Sequence, residues 1–253
     1  MYDIWLLLLV FMFALVYEII DSSLGQGYGT LGSPTFLLLG FSPKTVVPSI
    51  LISQAVGGLA SAFFHNRRRN ADFSNHKTND MKKVYAIVGF GIVGVSLASF
   101  VGFKLSKEMM STYIGLMVLI IGILILSGIT FKFTWKRLSV IGAVSAFNKG
   151  LSGGGYGPLV TGGQAIIGVG GKASVAVTDF AEAPICISGF LTWFVLQGLP
   201  QWDLMLAMIL GASIAPAIGA WITYKMPARE LKLVMGAVII ALGILSLLKV
   251  LSP

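Results

Sequence analysis

Charge is scarce in this chain. Only 11% of its 253 residues are Asp, Glu, Lys or Arg, against about 25% in soluble domains. A chain with so few charges cannot cover a water-soluble surface of this size, so a soluble enzyme or scaffold is excluded. Cysteine is nearly missing: Cys186 is the single one. That rules out an intramolecular disulfide and any metal centre built on cysteines. Histidine is also rare, with two residues, His65 and His76. Both fall in a basic, polar stretch, where a solvated loop is the expected reading and a metal site is not. The N-terminal apolar run lacks a basic leader and an A-x-A-like site, so residues 4–20 read as a retained membrane segment.

What is abundant is apolar sequence. Hydrophobic residues make up 56% of the chain, and glycine contributes 31 positions. The apolar residues form successive runs at 4–20, 30–40, 45–64, 84–103, 109–131, 138–151, 158–168, 173–197, 204–224 and 233–251. Most are long enough to cross about 30 Å of hydrocarbon as helices, whereas 30–40 and 158–168 are too short. Pro216 is expected to kink its segment. The net charge of +8 does not indicate nucleic acid, because the basic residues cluster in short stretches between apolar runs. The stretch 65–83 holds six basic residues against Asp72 and Asp80, and 132–137 and 225–232 are also basic. Such segments face the cytoplasm, and the acidic link 198–203 faces the other side.

Two glycine-rich stretches punctuate this pattern: Gly25-Gln26-Gly27-Tyr28-Gly29 and Gly153-Gly154-Gly155-Tyr156-Gly157. They lie 128 positions apart. The same shift aligns Leu31 with Leu159, Gly40 with Gly168, Lys44 with Lys172, Val47 with Val175 and Gln54 with Glu182. A fixed period of this kind marks a duplicated architecture. Each half carries five apolar elements, an odd number, so the halves have opposite orientations in the membrane. The expected fold is therefore an all-α polytopic membrane protein of two inverted repeats, 1–137 (including the 65–83 loop) and 138–253, with short or re-entrant helices starting at the glycine breaks. Inverted repeats are a transporter architecture, with the substrate at the repeat interface.

Glycine permits the broken backbone that such a site needs, and a helix starting after a break directs free N–H groups and its positive dipole end at the centre. Gly25, Gln26, Gly27, Tyr28, Gly29, Gly153, Gly154, Gly155, Tyr156 and Gly157 are thus the expected substrate-binding residues, the tyrosines adding hydroxyls. On this basis Gly155→Val is expected to weaken binding more than folding. The competing reading is close helix packing, which small residues also serve. Charges inside apolar runs are a second signal. Lys149, Asp179 and Glu182 are candidates for charge compensation or proton coupling, and mutual pairing is the structural alternative. Glu18 and Asp21 flank the first stretch, and Asn148, Ser23, Ser53, Gln54 and Gln164 add neutral polar groups. The tryptophans Trp5, Trp135, Trp193 and Trp202 read as packing or interface anchors.

The duplicated glycine pattern, followed by an apolar run and a basic turn, resembles the TauE/SafE-type sulfite exporter family, anion permeases of the 4-toluene sulfonate uptake permease group. The resemblance rests on Gly25–Gly29 with Pro34 and on Ser152–Pro158, and extends over essentially the whole chain. It implies transport of sulfite, sulfonates, sulfoacetate or similar small anions across a prokaryotic plasma membrane. Gly162 stands where the second copy would match Pro34. The partners expected are a small anionic substrate and the bilayer, with protons as a coupling ion, a homo-oligomer as an open option and no nucleic acid. No cofactor is implied and no ATP-binding motif is present: Gly171-Lys172 is followed by Ala173, not Ser or Thr. A passive anion channel using the same glycine loops is the alternative. A membrane enzyme lacks paired histidines, a cysteine nucleophile or metal-ligand spacing in the apolar runs.

Overall fold

A computed structural model describes residues 2–127, 132, 134–166, 169, 171–225, 240–241, 244–245 and 247–248. Its regular elements are helices: α1 (Ile4–Leu24), α2 (Tyr28–Leu38), α3 (Pro43–Arg67), α4 (Asn79–Lys104), α5 (Lys107–Ser127), α6 (Trp135–Ser152), α7 (Tyr156–Ile166), α8 (Gly171–Gln197), α9 (Trp202–Ile214) and α10 (Pro216–Lys225). Most of the expected span at 233–251, and most of the basic loop 225–232, lie outside the described residues. The helices α1, α3, α4 and α8, and α9 with α10 taken together, are long and apolar enough to cross a membrane.

Local chemistry sets the boundaries. Ser42 caps α3 by accepting from the Thr45 N–H, with Pro43 in the first turn. Thr78 and Thr134 cap α4 and α6 in the same way. These side-chain oxygens satisfy amides that the helix leaves unpaired. Both α1 and α6 end on glycines in the left-handed conformation, Gly25 (φ 65°) and Gly153 (φ 74°), whose amides return to Asp21 O and Lys149 O. Glycine is favoured there because it has no Cβ to crowd the turn. Pro216 does more than kink its segment. It opens α10 one residue after α9 stops, dividing the run in two.

The helices α2 and α7 are 11 residues each, about 16 Å at 1.5 Å per residue, and so cannot cross alone. α3 packs on α8 at the centre of the molecule. Around that pair, α4 packs on α6 and α8, while α9 and α10 pack on α1 and α3. Burial separates the roles. Of the apolar window, 72% is buried in α3 but 22% in α1, which turns Trp5, Leu8, Leu9, Met12 and Val16 outward. The outward residues are large and apolar while the interior holds Glu18, Asp21, Lys149, Asp179 and Glu182. Helices approach closely at small residues: a Cβ on Gly94 would lie 2.8 Å from Ala143 O, and one on Gly211 2.7 Å from Phe11 O.

The paired spacing of the sequence reappears in the helix bounds. α1 and α6 end at 24 and 152, α2 and α7 begin at 28 and 156, and α3 and α8 begin at 43 and 171. Each pair differs by 128.

Candidate functional site

The two glycine stretches meet. A Cβ on Gly29 would collide with Gly153 O, and one on Gly157 would sit 2.5 Å from Gly25 O and 2.6 Å from the Gln26 Cα. A Cβ on Gly154 would sit 2.5 Å from Gly29 O. The Gly29–Gly153 and Gly157–Gly25 contacts are related by the shift of 128. Side chains tie the same crossing. Ser33 Oγ on α2 donates to Ser152 O at 2.7 Å, and Thr161 Oγ1 on α7 donates to Gly25 O at 2.7 Å. Residues 33 and 161 also correspond. Each short helix therefore supplies an acceptor-seeking hydroxyl to the end of the long helix in the other half, where carbonyls lack helical partners.

This contact gives Gly29, Gly154 and Gly157 a role in close backbone packing. Two amides expected to face a ligand are engaged within the protein. Gly154 N–H donates to Ser152 Oγ at 3.1 Å and Gly155 N–H to Thr30 Oγ1 at 3.1 Å. Gly27 (φ 154°) and Gly155 (φ 76°) hold backbone conformations that disfavour side chains. Gly155→Val would therefore strain the backbone, a folding cost that adds to any effect on binding. Gln26 is buried beside Gly157. The two tyrosines differ. Tyr28 Oη donates to Ser53 Oγ at 2.8 Å, whereas the Tyr156 hydroxyl, on a residue 1% exposed, has no hydrogen-bond partner.

Directly behind the crossing lies a cluster of ionisable groups. Lys149 Nζ pairs with Glu182 Oε1 at 2.6 Å. Gln54 Nε2 donates to Asp21 Oδ2 at 2.8 Å. The shift of 128 converts one pair into the other: Asp21 corresponds to Lys149, and Gln54 to Glu182. A donor on the central helix α3 faces a carboxylate on α1, and a carboxylate on the central helix α8 faces a cation on α6. The Tyr28 N–H at the start of α2 also points to the Asp21 carboxylate. The positive end of α2 is thus already met by a carboxyl group of the protein, while Lys149 occupies the corresponding place before α7.

Glu18 lies against Gly57, where a Cβ would sit 2.7 Å from its carboxylate. Asp179 Oδ2 accepts from Ser61 Oγ at 2.5 Å and lies 3.3 Å from His65 Nε2. Four buried carboxyl groups, Glu18, Asp21, Asp179 and Glu182, thus share the interior with Lys149, the one buried Lys or Arg among the described residues. Glu18 Oε2, Gln54 Oε1 and Asp179 Oδ1 have no hydrogen-bond partner in the protein. Buried polar atoms left alone cost about 1–3 kcal/mol each, so they mark space for a proton, a water or a ligand.

His65 overturns its sequence reading. The sequence predicts a solvated 65–83 loop holding it with His76, yet it lies in the last turn of α3, 0% exposed, and bonded to Ser22 O and Asn70. The polar stretch begins later, because α3 runs on to Arg67, and α4 already starts at Asn79. His76 is exposed as expected. Sequence reasoning missed His65 because three arginines follow it and it has no apolar neighbour after Phe64. The missing signal was its distance of four residues from Ser61, which puts both on one helix face. Among the neutral polar candidates, Ser23 bonds Ile19 O, Asn148 accepts from Tyr113 Oη, and Gln164 donates to Ser174 O and Thr178 Oγ1.

A sequence-family model described as "Sulfite exporter TauE/SafE" matches residues 9–246. The Probable membrane transporter protein YtnM of Bacillus subtilis (strain 168) is 25% identical over 250 residues, covering 92% of this chain and 80% of that one. No solved structure matches the chain. With helices that can cross a bilayer and a family match over nearly the whole chain, the chain belongs to the sulfite exporter TauE/SafE family of membrane transporters and is a multi-pass protein of the prokaryotic plasma membrane.

Proposed function

We propose that this transporter moves a small sulfur-containing anion, such as sulfite, a sulfonate or sulfoacetate, by alternating access around the crossing of the two glycine turns, coupled to protons. The halves 1–137 and 138–253 act as inverted repeats in this reading. The paired contacts at a constant spacing of 128 support it, since they relate α1, α2 and α3 to α6, α7 and α8. The family description supports sulfite as the first substrate to test. Charge supports an anion: Lys149 sits one turn before Gly153, where α6 gives way to the turn leading into α7.

The observation that carries the mechanism is the Lys149–Glu182 ion pair, 2.6 Å long and buried. As long as Glu182 is ionised, it occupies the cation. A proton added to Glu182 neutralises that carboxylate and releases the Lys149 ammonium to an incoming anion. One proton and one anion then enter the site together, and the N-terminus of α7 and the Tyr156 hydroxyl complete the anion's partners. Loss of the proton restores the Lys149–Glu182 pair and displaces the anion. The remaining unpartnered oxygens of Glu18 and Asp179 hold the protons or waters that keep the other carboxyls from repelling it.

Purified protein in proteoliposomes tests this directly. Under an imposed pH gradient, labelled sulfite is expected to accumulate above its equilibrium level, and Glu182→Gln to abolish the dependence on pH while leaving sulfite binding measurable. Sulfite flux that only runs down its own gradient, whatever the pH difference, would sink the coupled reading. A thermal-shift series with sulfite, thiosulfate, sulfoacetate and taurine against carboxylate controls ranks the substrates, because a ligand of the native state raises apparent stability.

A further inference from the structure

His65 has no part in the mechanism above, yet it is wholly buried and its neighbours set which ring nitrogen donates. Asn70 Nδ2 contacts His65 Nδ1 at 2.9 Å and donates to Ala220 O at 3.0 Å. A carbonyl oxygen takes only donors, so Asn70 presents its NH2 group to both, and Nδ1 is an acceptor. The proton of the neutral ring is therefore on Nε2. That nitrogen donates to Ser22 O at 2.9 Å and lies 3.3 Å from Asp179 Oδ2. Asp179 Oδ1, on the other side of the carboxyl, has no partner. Behind it, Glu18 and Asp21 on α1 and Glu182 on α8 are within electrostatic reach of Asp179. From α10, Thr223 Oγ1 and the Ala220 carbonyl close the same corner, and neither titrates. Asp179 is thus the charged group that faces His65.

The corner has a counterpart 128 residues on. Trp193 corresponds to His65 and Gly150 to Ser22, and Trp193 Nε1 donates to Gly150 O at 3.2 Å. The same bond is made at both places by a ring N–H, but only one of the rings can carry a proton through. Asp179 corresponds to Leu51, Ser61 to Gly189 and Asn70 to Gly198. The Cβ position of Gly189 lies 3.2 Å from Leu51, as Ser61 lies against Asp179. One end is polar and titratable; the other is apolar and closed.

We propose that the His65–Asp179 pair is a proton-exchange site joining the buried carboxyl cluster to the water around the 68–78 loop, and that Trp193 and Leu51 seal the corresponding route at the opposite end. The sequence of transfers starts when Asn70 swings off Nδ1. Nδ1 takes a proton from water, and the Nε2 proton passes to Asp179 Oδ2. The Asp179 carboxylate becomes neutral and the ring is left as the neutral Nδ1–H tautomer. Gain of a proton at Nε2 and loss of one at Nδ1, both through water, reset the ring. This deepens the proton-coupled reading and rests on it for its bearing on transport.

Hydrogen–deuterium exchange of the protonated-carboxyl C=O band, followed by infrared spectroscopy on the full chain in detergent after transfer to D2O, reads the route without any substrate. His65→Gln keeps an N–H for Ser22 O but cannot relay, and is expected to slow carboxyl deuteration about tenfold or more at an unchanged melting temperature. Asn70→Ala uncovers Nδ1 and is expected to speed it. Wild-type kinetics in a folded His65→Gln protein would overturn the proposal, as would the absence of any protonated-carboxyl band in the wild type. Should His65→Gln fail to fold, Asn70→Ala decides: unchanged or slower exchange overturns the route. Failure of sulfite to move in proteoliposomes would count against the anion reading and leave this result legible.

Discussion

A methyl group is enough to disturb the centre of this protein. Alanine at Gly29 would collide with Gly153 O and at Gly157 would press on Gly25 O, both backbone atoms that cannot rotate aside. Each substitution is expected to cost about 1–3 kcal/mol, the usual range for overpacking. Gly171→Ala, with nothing within 4 Å of its Cβ, serves as the neutral control. Thermal unfolding in one detergent compares the three. The Lys149–Glu182 pair sets a second expectation. Lys149→Met alone leaves a buried carboxylate without its cation and is expected to lose about 3–5 kcal/mol. Lys149→Met combined with Glu182→Gln is expected to recover much of that. A double variant as unstable as the single would show that the pairing is not what holds these residues. Of these residue-level features, Gln54 with Glu182 was legible as an aligned polar position. Asp21 with Lys149 was not, because opposite charges at equivalent places look like a mismatch until the pairing is seen.

At the scale of elements, two short helices act as clasps. Ser33 on α2 bonds the end of α6, and Thr161 on α7 bonds Gly25 O at the end of α1. Removing either hydroxyl leaves a buried carbonyl short of a partner, so Ser33→Ala and Thr161→Ala are each expected to destabilise by about 1–3 kcal/mol. Because both bonds brace one crossing, the double variant is expected to depart from additivity. Chemical-denaturation midpoints would measure this, and a neutral Ser33→Ala would remove the clasp from the account. The elements themselves were readable: glycine turns after α1 and α6, segments too short to span after them, and a weak point at Pro216. The end of α3 was not. A run of arginines signals a loop, yet the helix continues through His65 to Arg67 because tertiary partners on α1, α8 and the following loop receive that imidazole.

For the whole molecule, basic segments and an acidic link set an orientation that can be measured. Cys186 is fully buried, so a Cys186→Ser background is suited to single-cysteine labelling. Ser74→Cys in the basic loop is expected to react with a membrane-impermeant thiol reagent only from the cytoplasmic side, and Gln201→Cys only from the opposite side. Labelling of both from one face would contradict inverted halves. Composition alone determined that this chain lives in a bilayer, since too few charges exist to cover a soluble surface. The fixed spacing of 128 and the two glycine motifs determined where its backbone breaks, and pointed to its family. Those properties are local or periodic, and they survive in one dimension. Tertiary structure decided which carboxylate meets Lys149, that the two glycine turns touch, and that His65 is buried against Asp179. Each of these depends on groups tens to hundreds of residues apart arriving within about 3 Å, the range over which hydrogen bonds form and burial gives charge its cost.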